Sequence, residues 1–372
     1  MTSVFIRLLP ESAWRADAPP RKPHDAGNTV PVLFINRLSY DIFRHRVEIG
    51  MDRLVIGTGQ GAPVQIGFFL VPKFSMMAFS SAVEPLRVAN LIAGRELFLW
   101  RVFSRDGAPV EASNGMAVLA EGSIADKPRL STLFVCASHE PLVSLDRATA
   151  AWFRRLAVAG TTLGALDTGA WLLARAGLLD GYRVTVHWEW RDAFAEDFPD
   201  VDCRTSLFET DRGRLTCAGG TAALDMMLHL IGLRFGHGLA VDISEQFIHE
   251  RIRPAEDAQR MALGRRLGIA DPKLEAVITA MQENLEDPLA SADLAEVAGV
   301  SERQLERLFQ RGLGCTPTRY YLDLRLRRAR ILLGQTRMPV MEVALACGFA
   351  TPAHFSRAYR AHFGHPPRVE RR

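Results

Sequence analysis

The stretch GALDTGAW (164–171) ends an apolar run and leads into LLARAGLL, which reads as a helix. A strand, a tight turn and a helix in succession present one side chain at the mouth of an α/β sheet. Enzymes built this way put a Ser or Cys nucleophile there. Here the position holds Asp167. An aspartate can attack activated carbon or phosphorus, but it is a poor replacement for a thiolate attacking an amide. Cys136, Cys203 and Cys217 sit on no such turn. No catalytic residue, metal site or cofactor is therefore expected.

An elbow needs strands beneath it and a helix behind it. Between 65 and about 235, strand-like runs alternate with helical stretches. The strands are QIGFFLV (65–71), LFLWRVFS (97–104), TLFVCAS (132–138), TTLGALD (161–167) and RVTVHW (183–188). The helices are SSAVEPLRVANLI (80–92), residues 169–179 and TAALDMMLHLIGLRFG (221–236). This alternation predicts an α/β layer with a mostly parallel sheet. Ligands of such sheets bind outside the carboxyl ends of the strands, where Asp167 stands. A helix begins just after it, so a plain capping role stays open.

The 372 residues predict two domains. The net charge of +3 hides an asymmetry. From Ser291 onward there are 14 Arg, no Lys and 7 acidic residues, whereas the rest of the chain is mildly acidic. A basic end on an acidic body suggests a nucleic-acid module. The five cysteines form no CxxC pair, which argues against a disulfide framework or zinc ribbon and fits a reducing cytosol. No apolar run approaches the ~18 residues of a membrane span, and no secretory pattern is present. The expected location is cytoplasmic, with no membrane partner. Residues 1–62 are turn-rich and without period, a leader for which Met51 is a candidate true start.

The basic end contains a degenerate repeat. LAEVAGVSERQLERLFQRGLGCTP (294–317) matches VALACGFATPAHFSRAYRAHFGHPP (343–367). Each copy has the physics of a helix-turn-helix. Ala295 and Ala344 allow two helices to approach, and Gly299 and Gly348 end the first helix. Ser301 with Gln304 forms a capping box, and Thr351 caps with Pro352 at the first helical position. Leu305, Leu308 and Phe309 share one face, as do Phe355 and Tyr359, leaving Arg303, Arg307 and Arg357 opposite. TPTRYYLDLRLRRARILL would hold the two units at a fixed separation for successive major-groove segments.

The repeat resembles the AraC/XylS family of transcription regulators over about 273–370. The resemblance implies that two units read a bipartite site in adjacent major grooves. The base-reading positions correspond to Arg303 and Arg307 in the first unit, and to Ala353 and Arg357 in the second. Gln304, Thr351 and His354 complete the expected DNA-contacting set. Ala353 departs from the polar residue often found there, so the second unit reads less through hydrogen bonds. Promoter DNA, RNA polymerase, a small-molecule inducer and a second copy in a homodimer are the expected partners. Activation is the family habit.

GFFLVPKFSMMAFSSAVEPLRVAN (67–90) and GALDTGAWLLARAGLLDGYRVTVHW (164–188) resemble the DJ-1/PfpI branch of the class I glutamine amidotransferase superfamily. A domain of that type joined to an AraC-type tail is similar to the GlxA-like regulators, which include activators of carnitine and glycine betaine catabolism and regulators of arginine use. The implied fold is a flavodoxin-like α/β sensor domain plus an all-α domain with two helix-turn-helix motifs. The implied divisions are 1–62 leader, 63–236 sensor, 237–272 helical connection and 273–370 DNA-binding domain. The resemblance matches Asp167 to the catalytic cysteine, Glu84 to its supporting glutamate and His187 to the later histidine.

Two carboxylates in one crevice raise a pKa unless a cation lies between them. Trp171, and Trp188 and Trp190 flanking Glu189, together with Phe74 and Phe79, add aromatic faces that suit an ammonium. The expected ligand is an amine or quaternary ammonium metabolite held by Glu84, Asp167, Thr168, Trp171, His187 and Trp188. Core or dimer packing for the tryptophans, and a strand-end role for His187, stay open. The alternative function is a DJ-1/PfpI-type hydrolase, isomerase or lyase with a DNA-binding tail.

Overall fold

The computed structural model describes residues 62–138, 145–261, 263–336 and 338–370. The leader expected over 1–62, with its candidate start at Met51, lies outside them except for Ala62.

The chain enters on β1 (Val64–Leu70) and passes through α1 (Met76–Ala93) to β2 (Phe98–Ser104). Short strands β3 (Val110–Glu111), β4 (Ala117–Val118) and β5 (Gly122–Ser123) follow. Next come β6 (Thr132–Cys136), α2 (Arg147–Val158), β7 (Thr162–Leu166) and α3 (Gly169–Arg175). Then come β8 (Arg183–Thr185), α4 (Arg191–Asp197), β9 (Asp202–Arg204), β10 (Phe208–Asp211) and β11 (Arg214–Cys217), and α5 (Ala222–Phe235) and α6 (His237–Gln246) close the layer. The main sheet has the order β10-β11-β7-β6-β1-β2-β5. Every pair in it is parallel except β10 with β11. The chain winds outward from β1 through β2 to β5, then returns on the other side of β1 with β6 and β7. The strand order therefore reverses between β1 and β6, and the ligand crevice of such a sheet lies at that reversal.

Alternation along β1 explains the layers. Ile66, Phe68 and Leu70 pack into one cluster with α1, α5 and α6. Phe69 and Val71 pack into another with α2, α3 and α4. A strand buried on both faces reads as a continuous apolar run, as QIGFFLV does. Two expected elements are shorter than the sequence suggests. The helix over 169–179 stops at Arg175, because Gly177 takes a left-handed φ of 68°. The strand over 183–188 stops at Thr185 and pairs with β9 in a separate sheet, because residues 188–190 turn.

Residues 237–259, expected as part of the connection, pack on the α/β body. Asp225 on α5 is fully buried. It accepts hydrogen bonds from the Arg253 backbone and guanidinium (2.6–2.8 Å) and meets His249 Nε2 at 2.9 Å. Gln259 Nε2 donates to the carbonyls of Val186 and Ser206.

The C-terminal part is helical: α7 (Leu263–Leu267), α8 (Pro272–Glu283), α9 (Ser291–Ala298), α10 (Glu302–Leu313), α11 (Pro317–Gln335), α12 (Val340–Ala346) and α13 (Pro352–Phe363). It holds two small cores. One joins α8, α9 and α10 to Tyr321 of α11, and the other joins Leu326, Ala329, Leu332 and Leu333 of α11 to α12 and α13. The long helix α11 thus belongs to both units and sets their spacing. Among the described residues, no helix is long and apolar enough to cross a membrane.

Candidate functional site

Asp167 follows β7 directly and takes a φ of +60°. That conformation is uncommon for a residue with a Cβ, although Asp and Asn tolerate it best. The turn is held on three sides. The Asp167 N–H donates to the Cys217 carbonyl (2.9 Å), Thr168 Oγ1 donates to the Ser138 carbonyl (2.5 Å), and Gly219 lies against the Asp167 side chain. The expected strand–turn–helix elbow is therefore present, and Asp167 at its tip is only 7% exposed.

Burial pushes the Asp167 carboxyl up to about 7, and the charge of Glu189 adds to the rise. Hydrogen bonds from the Ser138 side chain and the Thr168 backbone pull the other way. Among the described residues Asp167 makes no ion pair. A buried carboxylate that lacks a cation is costly to ionise. Helix α3 takes no side-chain cap bond from Thr168 at its N-cap position. The thiol nearest the elbow, Cys217, is buried and pushed up to about 12, so it carries no thiolate at neutral pH.

The structure sorts the other expected ligand residues. Glu84 pairs with Arg87 at 2.7 Å on α1, so the carboxylate whose charge acts on Asp167 is Glu189 and not Glu84. Trp171 is fully buried, with its ring edge-on to Trp190, Phe194 and Phe198, and its Nε1 donates to Asp197 (3.3 Å). Its place is the core, because the helix face it occupies turns toward α4. Phe74 and Phe79 likewise pack edge-on inside the layer. Thr168 is buried beneath the turn. His187 and Trp188 remain on the accessible turn between β8 and α4. The Glu189 backbone donates to His187 Nδ1 (3.4 Å), and the Arg260 guanidinium lies 4.2 Å from the Trp188 ring centroid.

Sequence reasoning gave Ser138 no role and named Glu189 only as the residue between two tryptophans. Ser138 lies after β6 and Glu189 after β8, so only the folded sheet brings them to Asp167. The helix that follows this turn reaches the C-terminal units. Asp192 on α4 meets Arg328 of α11 at 3.6 Å.

The two C-terminal units carry the second candidate site. The Ser301 hydroxyl accepts from Gln304 N–H, and Gln304 Oε1 accepts from Ser301 N–H (2.9 Å). The Thr351 hydroxyl accepts from His354 N–H (3.2 Å). Gly299 and Gly348 take φ of 60° and 71°. With Leu305 and Phe309 buried, Arg303, Gln304 and Arg307 stand exposed on α10. With Phe355 and Tyr359 buried, Thr351, Ala353, His354 and Arg357 stand exposed at α13. Arg325 of α11, which the sequence gave no reason to single out, donates to the carbonyls of Cys347 (2.8 Å) and Gly348 (2.5 Å) and stacks on Phe349. It fixes the turn of the second unit to the shared helix.

Residues 294–372 match the family model described as a helix-turn-helix domain. The chain is similar to the HTH-type transcriptional regulator GbdR of Pseudomonas aeruginosa, at 49% identity over 83% of this chain and 84% of that protein. It is similar to the HTH-type transcriptional regulator CdhR of the same organism, at 50% identity over 82% of this chain and 90% of that protein. Among solved structures it is similar to an AraC family transcriptional regulator from Pseudomonas putida, at 33% identity and a TM-score of 0.46, over 50% of this chain and 100% of that one.

Proposed function

The chain belongs to the AraC-family HTH-type transcriptional regulators, and from that premise we propose that a small amine or quaternary ammonium metabolite, held at the elbow, sets how its two helix-turn-helix units engage promoter DNA. The protein is a DNA-binding transcription regulator. The observation that carries the ligand reading is Asp167, a buried carboxyl with a second carboxylate acting on it and, among the described residues, no cation paired to it. A bound ammonium supplies the missing charge. Trp188 already seats one cation, Arg260, on its ring face, and a ligand ammonium competes for that face.

The same turn offers a route to the DNA-binding units. Glu189 acts on Asp167, Trp188 holds Arg260, and Asp192 holds Arg328. A ligand changes DNA affinity only by binding one arrangement of these contacts better than another. Arg303, Gln304 and Arg307 of the first unit, and Thr351, Ala353, His354 and Arg357 of the second, are the proposed DNA contacts. Gln304 and Thr351 already cap their helices, so the reading assigns them to positioning as much as to contact. Activation through RNA polymerase by a cytoplasmic homodimer belongs to the same reading.

The test is a thermal-shift screen of the full chain against quaternary ammonium compounds, cationic amino acids, polyamines and neutral metabolites. A ligand at 100 times its Kd adds about 2.7 kcal/mol of stability. The expected result is a cationic hit that disappears in Asp167→Asn. A set of hits indifferent to that substitution would leave Asp167 a structural turn residue.

A further inference from the structure

The two helix-turn-helix units touch each other as well as the helix they share. The loop between α8 and α9 belongs to the first unit, and the turn after α12 belongs to the second. Tyr321 of α11 holds the loop. Its hydroxyl donates to the Asn284 carbonyl (2.5 Å) and accepts from the Leu289 N–H (3.3 Å). Arg325, about one helical turn further along α11, holds the turn. Its Nε and Nη2 donate to the Cys347 and Gly348 carbonyls, and its guanidinium lies 4.3 Å from the Phe349 ring centroid. Cys347 is the C-cap of α12, and carbonyls at a helix C-terminus lack partners within the helix. Arg325 supplies donors there from another element.

Residues spaced as Tyr321 and Arg325 are share one face of a helix, so the loop and the turn are drawn to the same side of α11. There they meet. A Cβ on Gly348 would lie 2.6 Å from Pro288 Cγ and 2.7 Å from the Leu285 carbonyl oxygen. Gly299 ends the first helix of the first unit in the same left-handed conformation, yet a Cβ there would meet nothing within 4 Å. Gly299 therefore answers only to its turn, whereas Gly348 also answers to the neighbouring unit.

Arg325 differs from the other arginines around it. Arg327, Arg328 and Arg330 pair with Asp323, Asp192 and Glu370. Arg325 is half-buried and, among the described residues, pairs with no carboxylate. A guanidinium committed to two backbone carbonyls and an aromatic ring orders the chain rather than attracting phosphate.

A shared helix fixes a distance between two units but not the rotation of each unit about it. A second point of contact fixes the rotation. We propose that Arg325 and Tyr321 are positioning residues that clamp the loop of the first unit against the turn of the second, so that the pair accepts two DNA half-sites at one separation only. The proposal rests on the reading that both units engage DNA. One base pair added between half-sites moves the second by about 3.4 Å and turns it by about 35°, a displacement that a clamped pair does not follow and a hinged pair does.

The test uses the full chain and an operator that it selects from random duplexes. Kd is measured by fluorescence anisotropy at the selected spacing, with one base pair inserted or removed between the half-sites, and on a duplex holding the first half-site alone. The spacing penalty is a ratio of two affinities for one protein, so the charge lost with Arg325 cancels from it. The parent should lose about ten-fold or more when the spacing changes, because the second unit then misses its bases. In Arg325→Met and Tyr321→Phe the penalty should shrink to under about three-fold, while the second half-site still adds affinity at every spacing. Tyr321→Phe keeps its ring in the core and removes only the hydroxyl, so it is the deciding variant if Arg325→Met unfolds the second unit. A full penalty in Tyr321→Phe overturns the clamp. If Arg325→Met also keeps the penalty, α11 alone sets the spacing. If Arg325→Met instead loses the gain from the second half-site, Arg325 merely folds that unit. Both results leave the two-unit reading standing. A parent indifferent to spacing overturns the clamp and that reading together.

Discussion

Gly219 and Asp167 are packed so closely that a Cβ on Gly219 would lie 2.9 Å from the Asp167 Cβ and 3.1 Å from its carboxyl carbon. Gly219 also takes a φ of +93°, which side chains rarely adopt. Gly219→Ala therefore meets both a strained backbone and a contact that cannot relax without moving the elbow. Gly220 is a natural control, with a φ of +54° and nothing within 4 Å of a built Cβ. Gly220→Ala is expected to cost about 1 kcal/mol in chemical denaturation. Gly219→Ala should cost clearly more and also weaken any ligand-induced thermal shift. Equal costs would show that Gly219 does not brace Asp167.

Asp167 predicts a pH dependence with a definite sign. Its carboxyl rises from 3.8 unfolded to about 7 folded. Between those values the folded protein holds a proton that the unfolded chain has released, so stability falls as pH rises. The slope approaches about 1.4 kcal/mol per pH unit in that window and flattens above pH ~7. Asp167→Asn keeps the left-handed turn and removes the titration. Its stability relative to the parent should therefore grow from pH 5 to pH 8 in denaturant melts. A cationic ligand bound to ionised Asp167 has the opposite dependence and should bind more tightly over the same range. A parent and variant with parallel pH profiles would place the Asp167 carboxyl near its ordinary value.

Much of this was legible in the sequence, and the division has a physical basis. Local chemistry was readable: the Ser301–Gln304 box, the Thr351–Pro352 cap, the left-handed glycines and the elbow itself are each determined within about five residues. The alternation of apolar runs gave the α/β layer for the same reason. Long-range pairing was not readable. Asp225 finds His249 and Arg253 more than twenty residues later, which is why 237–259 read as a connection. Trp171 and Trp188 are the same residue type on neighbouring elements, one fully buried and one partly exposed. Only the position of α4 decides between them. Glu84 had a carboxylate of the right type, but Arg87 one helical turn on takes it.

The proposed DNA-reading face yields a contrast between the two units. Arg307 is exposed on α10 and long enough to reach base edges, while Ala353 at the start of α13 offers only a methyl group. Arginine reads guanine through paired hydrogen bonds, whereas a methyl reads thymine by apolar contact. Arg307→Ala is expected to cost about 1–3 kcal/mol on the selected operator and to relax discrimination at one base pair. Binding should fall steeply with salt in both proteins. Measuring Kd across single-base operator variants separates the two effects. An unchanged base preference would move the reading face off this side of α10.

The contact between Asp192 and Arg328 is the point where the α/β layer holds the helix shared by both DNA-binding units. Arg328 is about a third exposed and Asp192 nearly half, so as a stabilising ion pair it contributes little. Its value lies in position, two residues beyond the Trp188–Trp190 turn and on the one helix that spaces both cores. Removing either charge alone changes the general attraction to DNA, in opposite directions for the two residues. A double-mutant cycle cancels that bulk effect and leaves the pair. If the contact restrains α11, Asp192→Asn should raise DNA affinity without ligand by about five-fold or more, the scale of an ordinary coupling between sites. Adding Arg328→Gln to it should bring no further release. Asp202→Asn, an exposed carboxylate paired with Arg204 on β9, controls for charge alone and should not reproduce the gain. Additive effects in the cycle, measured by fluorescence anisotropy on one selected operator, would show that the layer and the DNA-binding units communicate by another route.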